Sequence, residues 1–135
     1  MDSARVLLAE DHPGVAEAVG EYVAEAFDLI GTVRDGGALL EAAHTLKPDV
    51  IVADISMPGT DGLTAMKQIQ KHQPNVKVIL LTNYGDAVVA RHALDAGASG
   101  FVLKVHAATE LLHAIRTVVD GGTYVSGAIA GSGEP

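Results

Sequence analysis

The chain predicts a doubly wound α/β sandwich built on a parallel sheet, and three observations carry that prediction. Short apolar runs recur along it: Val6 to Ala9, Leu29 to Val33, Val50 to Ala53, Val76 to Leu81 and Phe101 to Leu103. Between them apolar residues return at three- and four-residue steps, the spacing of a helix with one buried face. Most runs end abruptly in an ionisable or hydroxyl group, namely Glu10-Asp11, Asp54, Thr82 and Lys104. Strands that alternate with amphipathic helices pack as helices on both faces of a mostly parallel sheet.

Each element follows in order. After the first strand, Val15, Ala18, Val19, Tyr22, Val23 and Ala26 trace a helical face, with Pro13 suited to its first turn and Asp11 a candidate for starting it. A short strand spans Leu29 to Val33. Gly36-Gly37 opens a second helix with Leu39, Leu40, Ala43 and Leu46 inward, and Pro48 stops it. The third strand is β-branched and bounded by Pro48 and Pro58, as a strand buried on both faces should be. Gly59-Thr60-Asp61-Gly62 is a tight loop, and Leu63, Met66 and Ile69 begin a helix ending near His72 and Pro74. Strand four leads to a helix from about Asp86 to Ala96, closed by Gly97. After strand five, Leu111, Leu112, Ile115, Val118 and Val119 mark a last helix ending at Gly121-Gly122.

Five such strands take the flavodoxin-like order 2-1-3-4-5, and ligands of these folds bind at the carboxyl ends of the strands, at the switch point between strands one and three. Glu10, Asp11 and Asp54 therefore meet at one edge, with Thr82 and Lys104 beside them. Two carboxylates about 5 Å apart repel by roughly 3 kcal/mol at an effective dielectric near 20. Three of them raise their own pKa values or bind a cation. Oxygen ligands in small number suit Mg²⁺, which keeps waters and takes up phosphate oxygens. An ammonium and a hydroxyl next to that cation suit phosphoryl oxygens, so the cleft has the parts of a phosphoryl-transfer site whose nucleophile is the Asp54 carboxylate.

Composition narrows the alternatives. At 135 residues the chain is one domain, and 48% apolar content is enough for a core. No run approaches membrane-spanning length and no secretion signal opens the chain, so a cytoplasmic location with no membrane partner is the expectation. With no cysteine there is no disulfide framework or thiolate zinc site. A net charge of −8 argues against this segment gripping a phosphate backbone. His44, His72, His92, His106 and His113 are scattered and read as surface residues, and His12 is read as lying beside the acidic pair without being a ligand.

These residues resemble the receiver (CheY-like) domain of bacterial two-component response regulators, over roughly Arg5 to Gly122. Five ordered signals carry the resemblance: Leu8-Ala9-Glu10-Asp11-His12; Asp54 with Met57-Pro58-Gly59 and Asp61-Gly62; Leu80-Leu81-Thr82; Ala96 to Phe101; and Leu103-Lys104. The resemblance implies that Asp54 accepts a phosphoryl group from a sensor histidine kinase, by a self-catalysed transfer with autodephosphorylation rather than as an enzyme. It implies that Glu10, Asp11, Asp54 and the backbone carbonyl of Ser56 hold Mg²⁺, with Mn²⁺ a substitute. Thr82 and Lys104 would contact the phosphoryl oxygens. Phe101 would change rotamer as Thr82 moves, remodelling the face of helix four, strand five and helix five. A homodimer through that face, or through helices one and five, is the implied assembly.

The end of the chain, Asp120 to Ser126 with Ala128-Ile129-Ala130, resembles the junction after the receiver in NarL/LuxR-type transcriptional regulators. The expected division is a receiver at 1–122 and a linker or tail at 123–135, leading towards an absent helix-turn-helix domain through which DNA would be bound. Tyr124-Val125-Ser126 is read as packing against the final helix or extending from it, and Gly127 to Pro135 as a flexible linker or cloning scar. Two departures bear on the site. Val105 follows Lys104 where many receivers carry proline, which leaves the geometry of that peptide open. Tyr84, two residues past Thr82, is expected to overhang the phosphoryl site and hinder attacking water.

Competing readings are a receiver-like dimerisation module that signals without phosphorylation and a haloacid-dehalogenase-like phosphatase. The second places its nucleophile in an Asp-x-Asp motif near the chain start, whereas Asp54 lies on the third strand with Ser56 two residues on. A nucleotide or flavin fold would need a glycine-rich loop after strand one, where Glu10-Asp11 stands.

Overall fold

The β-branched runs of the sequence become the central strands of a sheet in the computed structural model, which describes residues 4–83 and 87–126. The elements are β1 (Arg5–Ala9), α1 (Pro13–Ala26), β2 (Asp28–Val33), α2 (Gly36–Leu46), β3 (Val50–Asp54), α3 (Gly62–His72), β4 (Lys77–Thr82), α4 (Ala87–Asp95), β5 (Gly100–Leu103), a 3-10 turn at Lys104–His106, α5 (Ala107–Val119) and β6 (Tyr124–Val125). The strand order is β2-β1-β3-β4-β5-β6, and every pairing is parallel. The expected order 2-1-3-4-5 is present, and the sheet runs one strand further. Residues 124 and 125 pair with Gly100 and Phe101 instead of continuing the last helix.

The period of two along each strand sorts the core into two layers. Leu7, Ile51, Leu80 and Phe101 pack with Leu39 of α2, Met66 and Ile69 of α3 and Ala90 of α4. Val6, Val52, Ile79 and Val102 pack on the other face with Val19 and Val23 of α1 and Leu111, Ile115 and Val118 of α5. All five residues of β3 are buried, which is why that strand reads as a continuous apolar run. Among the described residues no helix is long and apolar enough to cross a membrane.

Short polar side chains set where the helices start. Asp35 accepts the Ala38 amide at 2.8 Å and Asp61 accepts the Thr64 amide at 2.8 Å, each satisfying a donor that the first helical turn leaves open. At α1 the cap is His12, whose Nδ1 accepts the Val15 amide at 3.3 Å, so Asp11 is released from the capping role considered for it. The chain leaves α2 through Lys47 at φ 49°, and the Arg5 guanidinium donates to the Leu46 and Lys47 carbonyls at 2.8 Å each, a cation set at the negative end of the helix.

The loop between β3 and α3 depends on close backbone packing. A Cβ at Gly62 would collide with the carbonyl oxygen of Asp54, and one at Gly36 with the carbonyl of Thr60. Gly62 also donates its amide to the Ile55 carbonyl at 3.0 Å. Gly62→Ala is therefore expected to lower unfolding free energy by at least about 2 kcal/mol, because the obstacle is backbone and cannot swing away. Urea denaturation of the variant beside wild type measures it, and a loss within 0.5 kcal/mol (roughly the effect of a neutral surface change) would contradict that packing.

Candidate functional site

The carboxyl ends of β1, β3 and β5 bring Glu10, Asp54 and Lys104 together. Glu10 is fully buried and Asp54 is 3% exposed, whereas Asp11 faces solvent. The Lys104 ammonium lies 2.7 Å from Asp54 Oδ2 and 2.9 Å from Glu10 Oε1. Asp54 Oδ1 accepts the Ser56 amide at 3.0 Å, and Glu10 Oε2 accepts the His12 amide at 3.0 Å. Each acidic side chain thus has one oxygen tied to the loop that follows its own strand and the other turned to a single cation. That leaves Glu10 Oε1 with a charge partner but no hydrogen bond of its own.

Burial pushes the Glu10 carboxyl above its usual value of 4.5. The His12 amide and the Lys104 ammonium pull it down, and the Asp54 charge pushes it up again. Desolvation by itself would lower the Lys104 pKa, but its contacts with Asp54 and then Glu10 outweigh that and hold it above 10.5. The ammonium stays charged because two carboxylates face it, and burial makes ionisation of Glu10 costly.

One carboxylate oxygen each from Glu10, Asp11 and Asp54 lie within 4.8 Å of one another. Three hard oxygen donors, one of them a buried atom without a hydrogen bond, fit a small divalent cation better than they fit one another. The cluster opens into a cleft of about 570 Å³ bordered by Asp11, His12, Val15, Asp54, Ser56, Asn83, Lys104 and Val105. A hollow of about 620 Å³ lies at the opposite edge of the sheet, lined by residues such as Pro48, Asp49 and Pro74. Its Asp49 carboxylate is already taken by the Arg5 amide at 2.9 Å, so the chemistry belongs to the smaller cleft.

The other residues singled out from sequence fall as follows. Thr82 closes β4 at 5% exposure and pairs in register with Leu103. Phe101 is fully buried in the layer that contains α4. Ser56 is exposed at the rim of the cleft. The peptide between Lys104 and Val105 is trans, and Val105 is 78% exposed. Tyr84 lies outside the described residues, as does the tail from 127 onward. Of the scattered histidines, His44, His72, His92 and His113 are exposed. His106 is half-buried, with Nδ1 3.5 Å from Glu110 Oε2. Sequence reasoning missed the His12 cap and the pairing of Lys104 with Glu10. The His-Pro step after the acidic pair was a signal for the first; nothing in the spacing signals the second.

The response regulator receiver domain family matches residues 6–116. Response regulator protein VraR of Staphylococcus saprophyticus is 36% identical over 114 residues, covering 83% of this chain and 54% of that protein. A LuxR-family two-component response regulator from Aurantimonas superposes with a TM-score of 0.90 at 28% identity, over 96% of this chain and 94% of the other. The signal receiver domain of a putative response regulator NarL from Mycobacterium tuberculosis superposes with a TM-score of 0.84 at 29% identity, over 90% and 99%. The chain spans about half the length of the curated relatives it matches.

The electrostatics of the cleft has a measurable consequence. Lys104→Met leaves Glu10 and Asp54 as unbalanced charges, and in EDTA at neutral pH it should cost about 2–3 kcal/mol of stability. Because the folded-state pKa of Glu10 is raised, its contribution is full below 4.5 and is lost as pH rises through the folded value. The Lys104 contribution is present below 10.5 and is lost as pH rises through its own raised value. The deficit of the variant should therefore shrink on acidification, as Glu10 takes up a proton. Urea unfolding across that range checks it, and a deficit that grows on acidification would refute the assignment.

Proposed function

This chain belongs to the response regulator receiver domain family, and from that membership and its acidic cleft we propose that it is a phospho-accepting switch domain with Asp54 as the acceptor. The observation that carries the reading is the convergence on Asp54 of an ammonium at 2.7 Å and of two further carboxylates at metal-ligand spacing. Glu10 shares the ammonium, at 2.9 Å, but it is fully buried and does not border the cleft, whereas Asp54 does.

In the proposed reaction an Asp54 carboxylate oxygen attacks phosphorus of a phosphohistidine on a sensor kinase. The P–N bond breaks with its electron pair on the imidazole nitrogen, which takes up a proton, and an aspartyl phosphate remains. Glu10, Asp11, Asp54 and the Ser56 carbonyl would hold Mg²⁺, which supplies positive charge to the transferring phosphoryl oxygens. Lys104 gives up its contact with Asp54 Oδ2 for a phosphoryl oxygen, so the attacking oxygen is unmasked while the ammonium follows the negative charge to the phosphoryl group. Thr82, at the adjacent strand end, donates its hydroxyl to a second phosphoryl oxygen. Its inward shift opens space that Phe101 follows, altering the surface of α4, β5 and α5. In a longer protein that face would control a DNA-binding output domain, by dimerisation through the same face or through α1 and α5.

Incubation with a small phosphodonor and Mg²⁺ should add one phosphoryl group by intact mass, in wild type and not in Asp54→Asn. Uptake by Asp54→Asn equal to wild type would end the assignment. Mg²⁺ itself should stabilise the fold, by about 2.7 kcal/mol at a hundredfold excess over its dissociation constant. Thermal unfolding should show that gain in wild type and lose it in Asp11→Asn, whose exposed side chain costs the fold little.

A further inference from the structure

The segment that follows α5 is tied to β5 at three successive outward-facing positions. Tyr124 donates its amide to the Ser99 carbonyl at 3.0 Å, and Ser126 donates its amide to the Phe101 carbonyl at 2.9 Å. At the next step the Leu103 amide finds the Ser126 hydroxyl oxygen at 3.0 Å, so a side chain takes over the ladder where β6 ends. Ser126 is fully buried and Leu103 is 7% exposed, so that amide has little access to water as a substitute. Leu103 is the residue before Lys104, and the Lys104 backbone turns at once into the 3-10 helix.

We propose that Ser126 is a positioning residue for Lys104: its hydroxyl fixes the end of β5 and so aims the ammonium at Asp54 and Glu10. The inference rests on the phospho-acceptor reading and adds a residue from outside the five-strand unit to its machinery. The constraint is local. β5 is four residues long, and its last amide is the final outer-edge hydrogen bond before the backbone leaves the sheet. On the inner side Leu103 is in register with Thr82, so freeing its outer edge lets the strand end pivot about that pairing. Since Lys104 must reach two carboxylates at 2.7 Å and 2.9 Å, a displacement of a few tenths of an ångström at its Cα is felt at Nζ. The coupling is reciprocal: whatever moves Lys104 also loads the bond that seats Ser126, and with it the chain running on from there.

A second contact on the same strand supplies the control. The Tyr124 hydroxyl donates to Glu110 Oε1 at 3.1 Å and its ring stands edge-on to His113 at 5.5 Å, holding β6 to α5 without touching the end of β5. Ser126→Ala, Ser126→Cys and Tyr124→Phe are compared with wild type. In EDTA, NMR should find the Leu103 amide exchanging at least tenfold faster, and the Lys104 ammonium protons at least threefold faster, in Ser126→Ala, with Tyr124→Phe like wild type. Phosphoryl uptake from a small phosphodonor should slow at least threefold in Ser126→Ala only. The weakly accepting thiol of Ser126→Cys should fall between, and it decides the matter alone if the alanine variant does not fold. Unchanged ammonium exchange, or equal effects in Ser126→Ala and Tyr124→Phe, would overturn the proposal. If wild type takes up no phosphoryl group the acceptor reading fails, while the ammonium comparison still decides the role of Ser126.

Discussion

The Lys104 ammonium sits 2.7 Å from Asp54 Oδ2 and 2.9 Å from Glu10 Oε1, and much of the fold serves to keep that one cation opposite the acidic groups it balances. At an effective dielectric near 20, a carboxylate pair at 4.8 Å repels by about 3 kcal/mol, a large part of the stability of a small domain. The strands supply fixed Cα positions, so the repulsion cannot be relieved by drifting apart. Relief comes from tethers instead: the Ser56 and His12 amides hold one oxygen of each buried acid, and the ammonium holds the other. Asp11, the third member, stays in water, where its charge is least costly.

That division of labour explains how the cleft can be both stable and reactive. A carboxylate fully satisfied by strong donors is a poor nucleophile. Asp54 is held by one backbone amide and by the Lys104 side chain, which on the proposed reading would transfer its contact to an arriving phosphoryl oxygen. On the proposed reading, phosphorylation redistributes existing partners rather than building new ones. To take a mostly inactive domain to a mostly active one, that redistribution must favour one state by roughly 5 kcal/mol. A few charge-assisted hydrogen bonds, each worth about 1.5–3 kcal/mol, are enough.

The sequence made the two-layer core and the acidic edge legible because both follow from strong local rules. Period-two burial forces Val50 to Ala53 into a doubly covered strand, and the first polar residue after such a run must emerge at its rim. What escaped reading depended on non-local geometry. Whether Asp11 or His12 caps α1 turns on backbone angles at the strand exit, and residue propensity alone points to Asp rather than His. The depth difference between adjacent Glu10 and Asp11 is a matter of which face the chain presents as it leaves β1. β6 escaped because a two-residue strand has no period to read.

That short strand also bears on where the receiver ends. A boundary drawn at Gly121-Gly122 leaves β5 with an outer edge open to water and the Leu103 amide without a partner. Including residues 123–126 closes both deficits, with Tyr124 bracing the addition against α5. The edge of a sheet is ordinarily its weakest margin. Here the margin is completed by residues 124–126, bonded along the outer edge of β5. A link of this kind needs no large motion to carry information. Its hydrogen bonds share β5 with Phe101 and the backbone of Lys104, so on the proposed reading a change in how the ammonium is held would alter the stability with which residues 124–126 are seated. Coupling through a shared strand end is short, directional and built from few bonds, which is what a domain of this size can support.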